Sequence, residues 1–139
     1  MPATYTLGTG PLNKWQVRLG SGGGQASTLI NNAGDNYLDA GSGNTPGAFQ
    51  VILYPGAGQK VLTYTYRGPS IVKVFTGVAG NTIAKFTGAN TLTLVQSFTD
   101  TNQAAWTAAS HTVTLSGSPT YVVVQFLNGD FDNISLASP

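Results

Sequence analysis

The stretch that decides the fold runs from Trp106 to Leu136: Trp-Thr-Ala-Ala-Ser-His-Thr-Val-Thr-Leu-Ser-Gly-Ser-Pro-Thr-Tyr-Val-Val-Val-Gln-Phe-Leu-Asn-Gly-Asp-Phe-Asp-Asn-Ile-Ser-Leu. Ser-Gly-Ser-Pro and Asn-Gly-Asp cut it into three runs rich in β-branched and aromatic residues. Such residues favour a pleated, half-buried surface, and Gly, Pro, Asn and Asp punctuate turns. The spacing predicts strands over His111–Leu115, Tyr121–Leu127 and Phe131–Leu136.

The same grammar extends towards the N-terminus, and no segment carries a convincing helical period. Strands are expected at Ala3–Leu7, around Trp15-Gln16-Val17-Arg18-Leu19, and at Ser27–Asn31, Asn36–Ala40 and Ala48–Tyr54. Others are expected at Lys60–Tyr66, Ile71–Phe75, Thr82–Phe86 and Thr91–Phe98. Pro55-Gly56-Ala57-Gly58 reads as a turn between Ala48–Tyr54 and Lys60–Tyr66. Gly77-Val78-Ala79-Gly80 reads as the turn of a hairpin joining Ile71–Phe75 to Thr82–Phe86. Gly20–Gly24 and Ala40–Gly47 read as loops. Roughly ten short strands at this spacing define an all-β, antiparallel sandwich. With 139 residues and no internal linker, the expectation is a single domain over 1–139, with 1–10 as an N-terminal arm.

Composition removes several classes of function. Charged residues make up 8% of the chain against the usual quarter, and net charge is +1. The bases Lys14, Arg18, Lys60, Arg67, Lys73 and Lys85 stand singly, so no basic patch exists to displace counterions from nucleic acid. Cysteine is absent, which removes disulfides, thiolate ligands and thiol nucleophiles. Apolar residues at 41% are enough for a packed core. No apolar run reaches spanning length, the longest being Tyr121–Leu127, so no membrane partner is expected. No secretory signal is visible at Met1–Leu7.

The titratable residues point away from catalysis. Asp35, Asp39, Asp100, Asp130 and Asp132 are the only acids and lie mostly in turn contexts, which is poor material for a pair of hydrolytic carboxylates. His111 is the single histidine; Ser110 and Thr112 flank it, and it reads as a surface strand residue. Asp130 and Asp132, with Asp35, Asp39, Asn36 or Asn133, are the oxygen ligands available to a structural calcium. No other cofactor is expected. For ligand contact the aromatics stand out: Tyr64, Tyr66, Trp106 and Trp15 first, with Tyr37, Tyr54 and Tyr121 behind them. Leu62, Tyr64 and Tyr66 share one strand face, a stripe that serves equally as core or as a stacking surface.

From Ala48 to Leu136 the chain resembles the galactose-binding-like jelly roll used by many carbohydrate-binding modules. The residues behind the resemblance are Phe49-Gln50-Val51-Ile52, Pro55-Gly56, Val61-Leu62-Thr63-Tyr64-Thr65-Tyr66, Trp106, His111-Thr112-Val113-Thr114-Leu115 and Asp132-Asn133-Ile134-Ser135-Leu136. The family's Asn-Gly-Gly-Phe-Glu-like opening is missing, and with it the Glu of its calcium site. The resemblance implies a jelly roll that binds rather than catalyses.

Two expectations follow. With so few charges, much of the surface is expected to be covered by partners. The leading expectation is a structural accessory protein of a virus particle, a phage capsid decoration protein made in the host cytoplasm. It would contact the major capsid protein, other virion subunits and its own copies as a homo-oligomer. Tyr5 and Leu7 are the assembly contacts expected in the arm, adding a strand to a neighbour. The alternative is a carbohydrate-binding module or lectin-like domain, extracellular, with a glycan as partner.

Overall fold

The computed structural model describes residues 4–8, 15–18, 28–32, 35–41, 47–53, 56–84, 88–117 and 121–139. Every regular element among them is a strand: β1 (Thr4–Thr6), β2 (Trp15–Arg18), β3 (Thr28–Asn32), β4 (Asp35–Asp39) and β5 (Ala48–Leu53), then β6 (Gly58–Gly77), β7 (Thr82–Ala84), β8 (Thr93–Leu115), β9 (Tyr121–Leu127) and β10 (Asp130–Ala137). All their pairings are antiparallel. No helix among the described residues is long and apolar enough to cross a membrane.

The sheet is organised by β6. Its first half pairs with β10, from Val61↔Ala137 to Arg67↔Asp130. Its second half pairs with β9, from Ile71↔Leu127 to Gly77↔Tyr121. β8 runs along the other edge of both halves. One strand therefore belongs to two layers, β2-β5-β9 continuing one and β10-β4-β3 the other. The change of layer falls at Gly68-Pro69-Ser70, where the β6–β8 register slips twice. Gly68 sits at φ +86, a left-handed conformation that costs glycine little. The turn at Gly129 packs against this bend so closely that a Cβ there would lie 2.4 Å from the Pro69 carbonyl oxygen.

The layers close on a core of Leu38, Leu62, Tyr64, Tyr66, Val72, Val74, Val113, Leu115, Val122, Val124, Phe126 and Phe131. A second cluster, with Leu7, Phe49, Val51, Phe75, Ile83, Tyr121 and Val123, lies on the opposite side of the β5–β9 layer. The small β1–β7 sheet supplies Ile83 to it. β9 is therefore buried on both faces, which is why Tyr121–Phe126 is a nearly unbroken apolar run rather than an alternating one.

The all-β antiparallel sandwich expected from the sequence is the observed fold, but its wiring differs from expectation. Lys60–Tyr66 and Ile71–Phe75 are one strand, and so are the runs at Thr91–Phe98 and His111–Leu115 from Thr93 onward. Ala48–Leu53 does not pair with Lys60–Tyr66; it pairs with β2 and β9, because the chain crosses between layers after Leu53. Nor do Ile71–Phe75 and Thr82–Ala84 form a hairpin, since β7 pairs with β1. Alternation reports which side of a strand is buried; it does not report which strand lies alongside. The expected loop at Gly20–Gly24 and the Tyr54-Pro55 part of the expected turn lie outside the described residues.

Candidate functional site

The parity of β6 sorts its side chains. Leu62, Tyr64 and Tyr66 point into the core, so Thr63, Thr65 and Arg67 face outward. On β10 buried Phe131 pairs with Tyr66, which turns Asp130 and Asp132 outward. On β4 buried Leu38 pairs with Phe131, which turns Tyr37 and Asp39 the same way. The outer face of this layer thus gathers polar and aromatic residues from three strands.

Two irregularities shape that face. Tyr66 pairs with Thr107 and Gly68 with Gln103, so Ala104, Ala105 and Trp106 stand opposite Arg67 alone. This bulge brings Trp106 over the sheet; bulges commonly re-aim a side chain in this way. The second lies in β10, where Asp132 faces Thr65 and Ser135 faces Thr63, leaving one residue too many. Asn133 absorbs it at φ 51, with its backbone N–H donating to Asp132 Oδ1 at 2.8 Å. Its side-chain amide then donates to Thr65 Oγ1 at 3.2 Å on the outer face.

At the centre of the face lies Arg67. Its Nε and Nη2 donate to Asp130 Oδ2 at 3.0 and 2.8 Å. The guanidinium carbon sits 4.7 Å from the Trp106 ring centroid and 5.4 Å from that of Tyr37. The two rings meet edge to face, 5.4 Å apart. Trp106 comes from β8 and Tyr37 from β4, two strands separated by β6 and β10, and Arg67 is the post both rings lean on. Hydrogen bonding to the Asp130 carboxylate raises the Arg67 pKa above its already high value, so the cation is permanent. Beside this cluster, along the same strands, runs a shallow cleft of about 360 Å³ lined by Thr63–Thr65, Ala108–Ser110 and Asn133.

The inner side of β6 carries a second polar group that the sequence reading did not foresee. Asp100, on β8, accepts hydrogen bonds from the Tyr64 hydroxyl at 2.5 Å and the Ser70 hydroxyl at 2.6 Å on its Oδ2. His111 Nε2 lies 2.8 Å from its Oδ1 and 3.1 Å from the Tyr64 oxygen. A carboxylate only accepts, which assigns the proton to Nε2. Phe98 stacks on the imidazole at 4.1 Å between centroids. Burial first, and then the Asp100 carboxylate, push the Tyr64 phenol far above its ordinary pKa of 10.0. Tyr66 adds a bond from its hydroxyl to the Thr101 carbonyl at 2.8 Å. Ser70 and His111 share one carboxylate and are not bonded to each other among the described contacts. The geometry is that of a clasp across the bend of β6 and β8.

Several expectations change accordingly. Tyr64 and Tyr66 are 2% and 4% exposed and are core residues with tied hydroxyls, not stacking surfaces. His111 is half-buried and doubly bonded rather than a surface strand residue. Leu7, expected at an assembly contact, is 1% exposed in the second core cluster, and Tyr5 pairs with Ile83 of its own chain. Asp130, named for calcium with Asp132, holds Arg67 instead. Among the described residues no group of three or more His, Asp or Glu is placed to hold a metal ion. Trp15 lies in β2, and its side chain is outside the described set. Of the four aromatics put first, Trp106 alone is placed on the outer face by described contacts, and it is joined there by Tyr37 and by Arg67. A lone Asp within a long uncharged strand segment, with the only histidine on the same strand, was the available signal for the clasp.

The fold is that of a carbohydrate-binding-module-like β-sandwich. A solved structure titled "CBM4 structure and function" is similar over 80% of this chain and 77% of its own, with a TM-score of 0.55 and 15% identity. The carbohydrate-binding module CBM6cm-2 from Cellvibrio mixtus lichenase 5A, in complex with cellotriose, matches over 85% of this chain and 88% of its own, with a TM-score of 0.49 and 16% identity. No protein-family model and no curated protein matches the chain.

Proposed function

We propose that the chain is a non-catalytic glycan-binding module whose ligand lies along the outer face of the β4-β10-β6-β8 layer. The observation that carries this is the meeting of Trp106 and Tyr37 over Arg67 at one end of a cleft edged by Thr63, Thr65, Ser110 and Asn133. A sugar ring has C–H faces and a rim of hydroxyls. Flat aromatic rings suit the faces, while hydroxyl, amide and guanidinium groups suit the rim. Tyr, Trp and Arg are also the residues over-represented where binding energy concentrates. Strands carry almost every contributor, so the surface is preorganised. The likeness to a carbohydrate-binding module supports the reading at the level of fold, and the cluster supports it at the level of chemistry. An extracellular setting, where polysaccharide is available, goes with it. Neither the site nor the comparisons add an observation in favour of the virion expectation.

Affinity electrophoresis in gels cast with soluble neutral polysaccharides, followed by calorimetry on any that retard the protein, tests this directly. Trp106→Ala should weaken binding at least about tenfold, equivalent to about 1.4 kcal/mol, with an unchanged circular dichroism spectrum. Binding that survives both Trp106→Ala and Tyr37→Ala, or a panel in which nothing retards the protein, ends the proposal.

A further inference from the structure

β8 is unusual for its length and its neighbour. It runs from Thr93 to Leu115, and among the described residues only β6 pairs with it. Strands in globular proteins are usually about 3–10 residues long. An edge strand presents a row of unpaired N–H and C=O groups, and proteins guard such edges with Lys, Pro, short strands or bulges. β8 contains no Lys, Arg, Pro or Gly. Its irregularities are confined to the stretch from Leu94 to Thr107. Beyond them the register with β6 is unbroken from Tyr66↔Thr107 to Gly58↔Leu115, a straight edge of about 30 Å at ~3.4 Å per residue.

That limb carries no carboxylate and no lysine or arginine. Its outward residues, Ala108, Ser110, Thr112 and Thr114, are all exposed, small and neutral. Its inward residues are Thr107, Ala109, His111, Val113 and Leu115, and His111 is held against the Asp100 carboxylate.

We infer that this edge, Thr107–Leu115, is the surface on which a second copy of the chain pairs, antiparallel and about a two-fold axis. A second copy offers the same neutral limb in the complementary direction. In a two-fold register within this limb the outer-face pairs are drawn from Ala108, Ser110, Thr112 and Thr114, so no like charges oppose one another and the pairs across the junction are small and neutral. A charged peptide gains no counter-charge here. Two-fold pairing is also isologous, so it closes at a dimer instead of growing into a filament. The pairing would extend the β4-β10-β6-β8 layer into its copy and bring two outer-face clefts onto one continuous sheet, since Ala108 and Ser110 line each cleft. The inference rests on the edge and not on the glycan reading; a dimer that binds no sugar leaves it intact.

The test is sedimentation or light scattering of the full chain over a concentration series from low micromolar to near-millimolar. The expected result is a mass twice that of the chain at the upper end, with hydrogen exchange at Thr107–Leu115 slowing as concentration rises. Thr112→Lys and Thr114→Lys, both exposed, should each return the protein to a monomer at those concentrations. Gln59→Lys, exposed on the adjacent strand opposite Thr114, should leave the dimer in place. A wild type that stays monomeric with concentration-independent exchange overturns the inference. So does a dimer that survives both edge lysines, or one that Gln59→Lys dissolves equally well. The exchange measurement decides the matter even where a lysine variant folds poorly.

Discussion

Two pairs of aromatic residues lie on opposite sides of one layer and do opposite work. Tyr64 and Tyr66 sit on the inner side of β6 with their hydroxyls bonded to Asp100 and to the Thr101 carbonyl. Trp106 and Tyr37 sit on the outer side, held by a cation rather than by a core. The inner pair fixes the shape of the bend; the outer pair rides on that shape. The contrast teaches that aromatic content alone does not mark a binding surface. The sheet decides by parity which rings become structure and which become surface.

The sharpest way to break this contrast is to attack the inner side. Phe131 is fully buried and packs against both Tyr64 and Phe126, with ring centroids 5.9 and 5.0 Å away. Phe131→Ala should cost about 3–5 kcal/mol by chemical denaturation. Ligand binding should then fall with the folded fraction. A loss below about 1 kcal/mol would mean that this core is not packed as described.

A milder change isolates the clasp. Tyr64→Phe keeps the ring and removes the donor to Asp100, leaving a largely buried carboxylate short of one partner; the expected cost at neutral pH is about 1–3 kcal/mol. It also changes the alkaline limb. The Tyr64 phenol is held above its unfolded pKa of 10.0, so its contribution is complete below that value and is lost as pH rises past it, because the unfolded chain ionises while the folded chain does not. Wild type should therefore lose stability above pH 10.0 more steeply than Tyr64→Phe. Parallel denaturation curves for the two proteins in that range would remove the clasp from the account.

The smallest effect belongs to the outer side. Arg67 and Asp130 are 37% and 23% exposed, so breaking their ion pair with Asp130→Asn should cost only about 0.2–1 kcal/mol of stability. Ligand binding should weaken more than stability does, because Arg67 would lose the carboxylate that fixes it between the rings. Equal effects on both would mean that the cluster is scaffold rather than site.

Read residue by residue, much of the inner architecture was legible. The runs at Tyr121–Leu127 and Phe131–Leu136 became β9 and the greater part of β10, since β-branched and aromatic residues at those spacings suit little else. The gaps left between expected strands at Arg67–Ser70 and at Thr99–Ser110 were misleading. They read as strand ends, whereas the structure uses them as a bend and a bulge inside continuous strands. The Arg67 cluster was legible in one member, Trp106, and not in its geometry. Tyr37, Arg67 and Trp106 are far apart in sequence, and no local pattern records which strands lie between them.

What the amino-acid order settled alone was the kind of object: an all-β chain with a two-layer core and few charged side chains. Those properties are local sums of propensity and composition, and need no knowledge of neighbours. What only the tertiary structure decided was adjacency. The sharing of β6 between layers, the burial of Tyr64, the capture of Asp100 and the pairing of β8 with β6 all depend on which strand lies beside which. Backbone pairing is made by N–H and C=O groups that every residue carries, so the sequence does not spell it out.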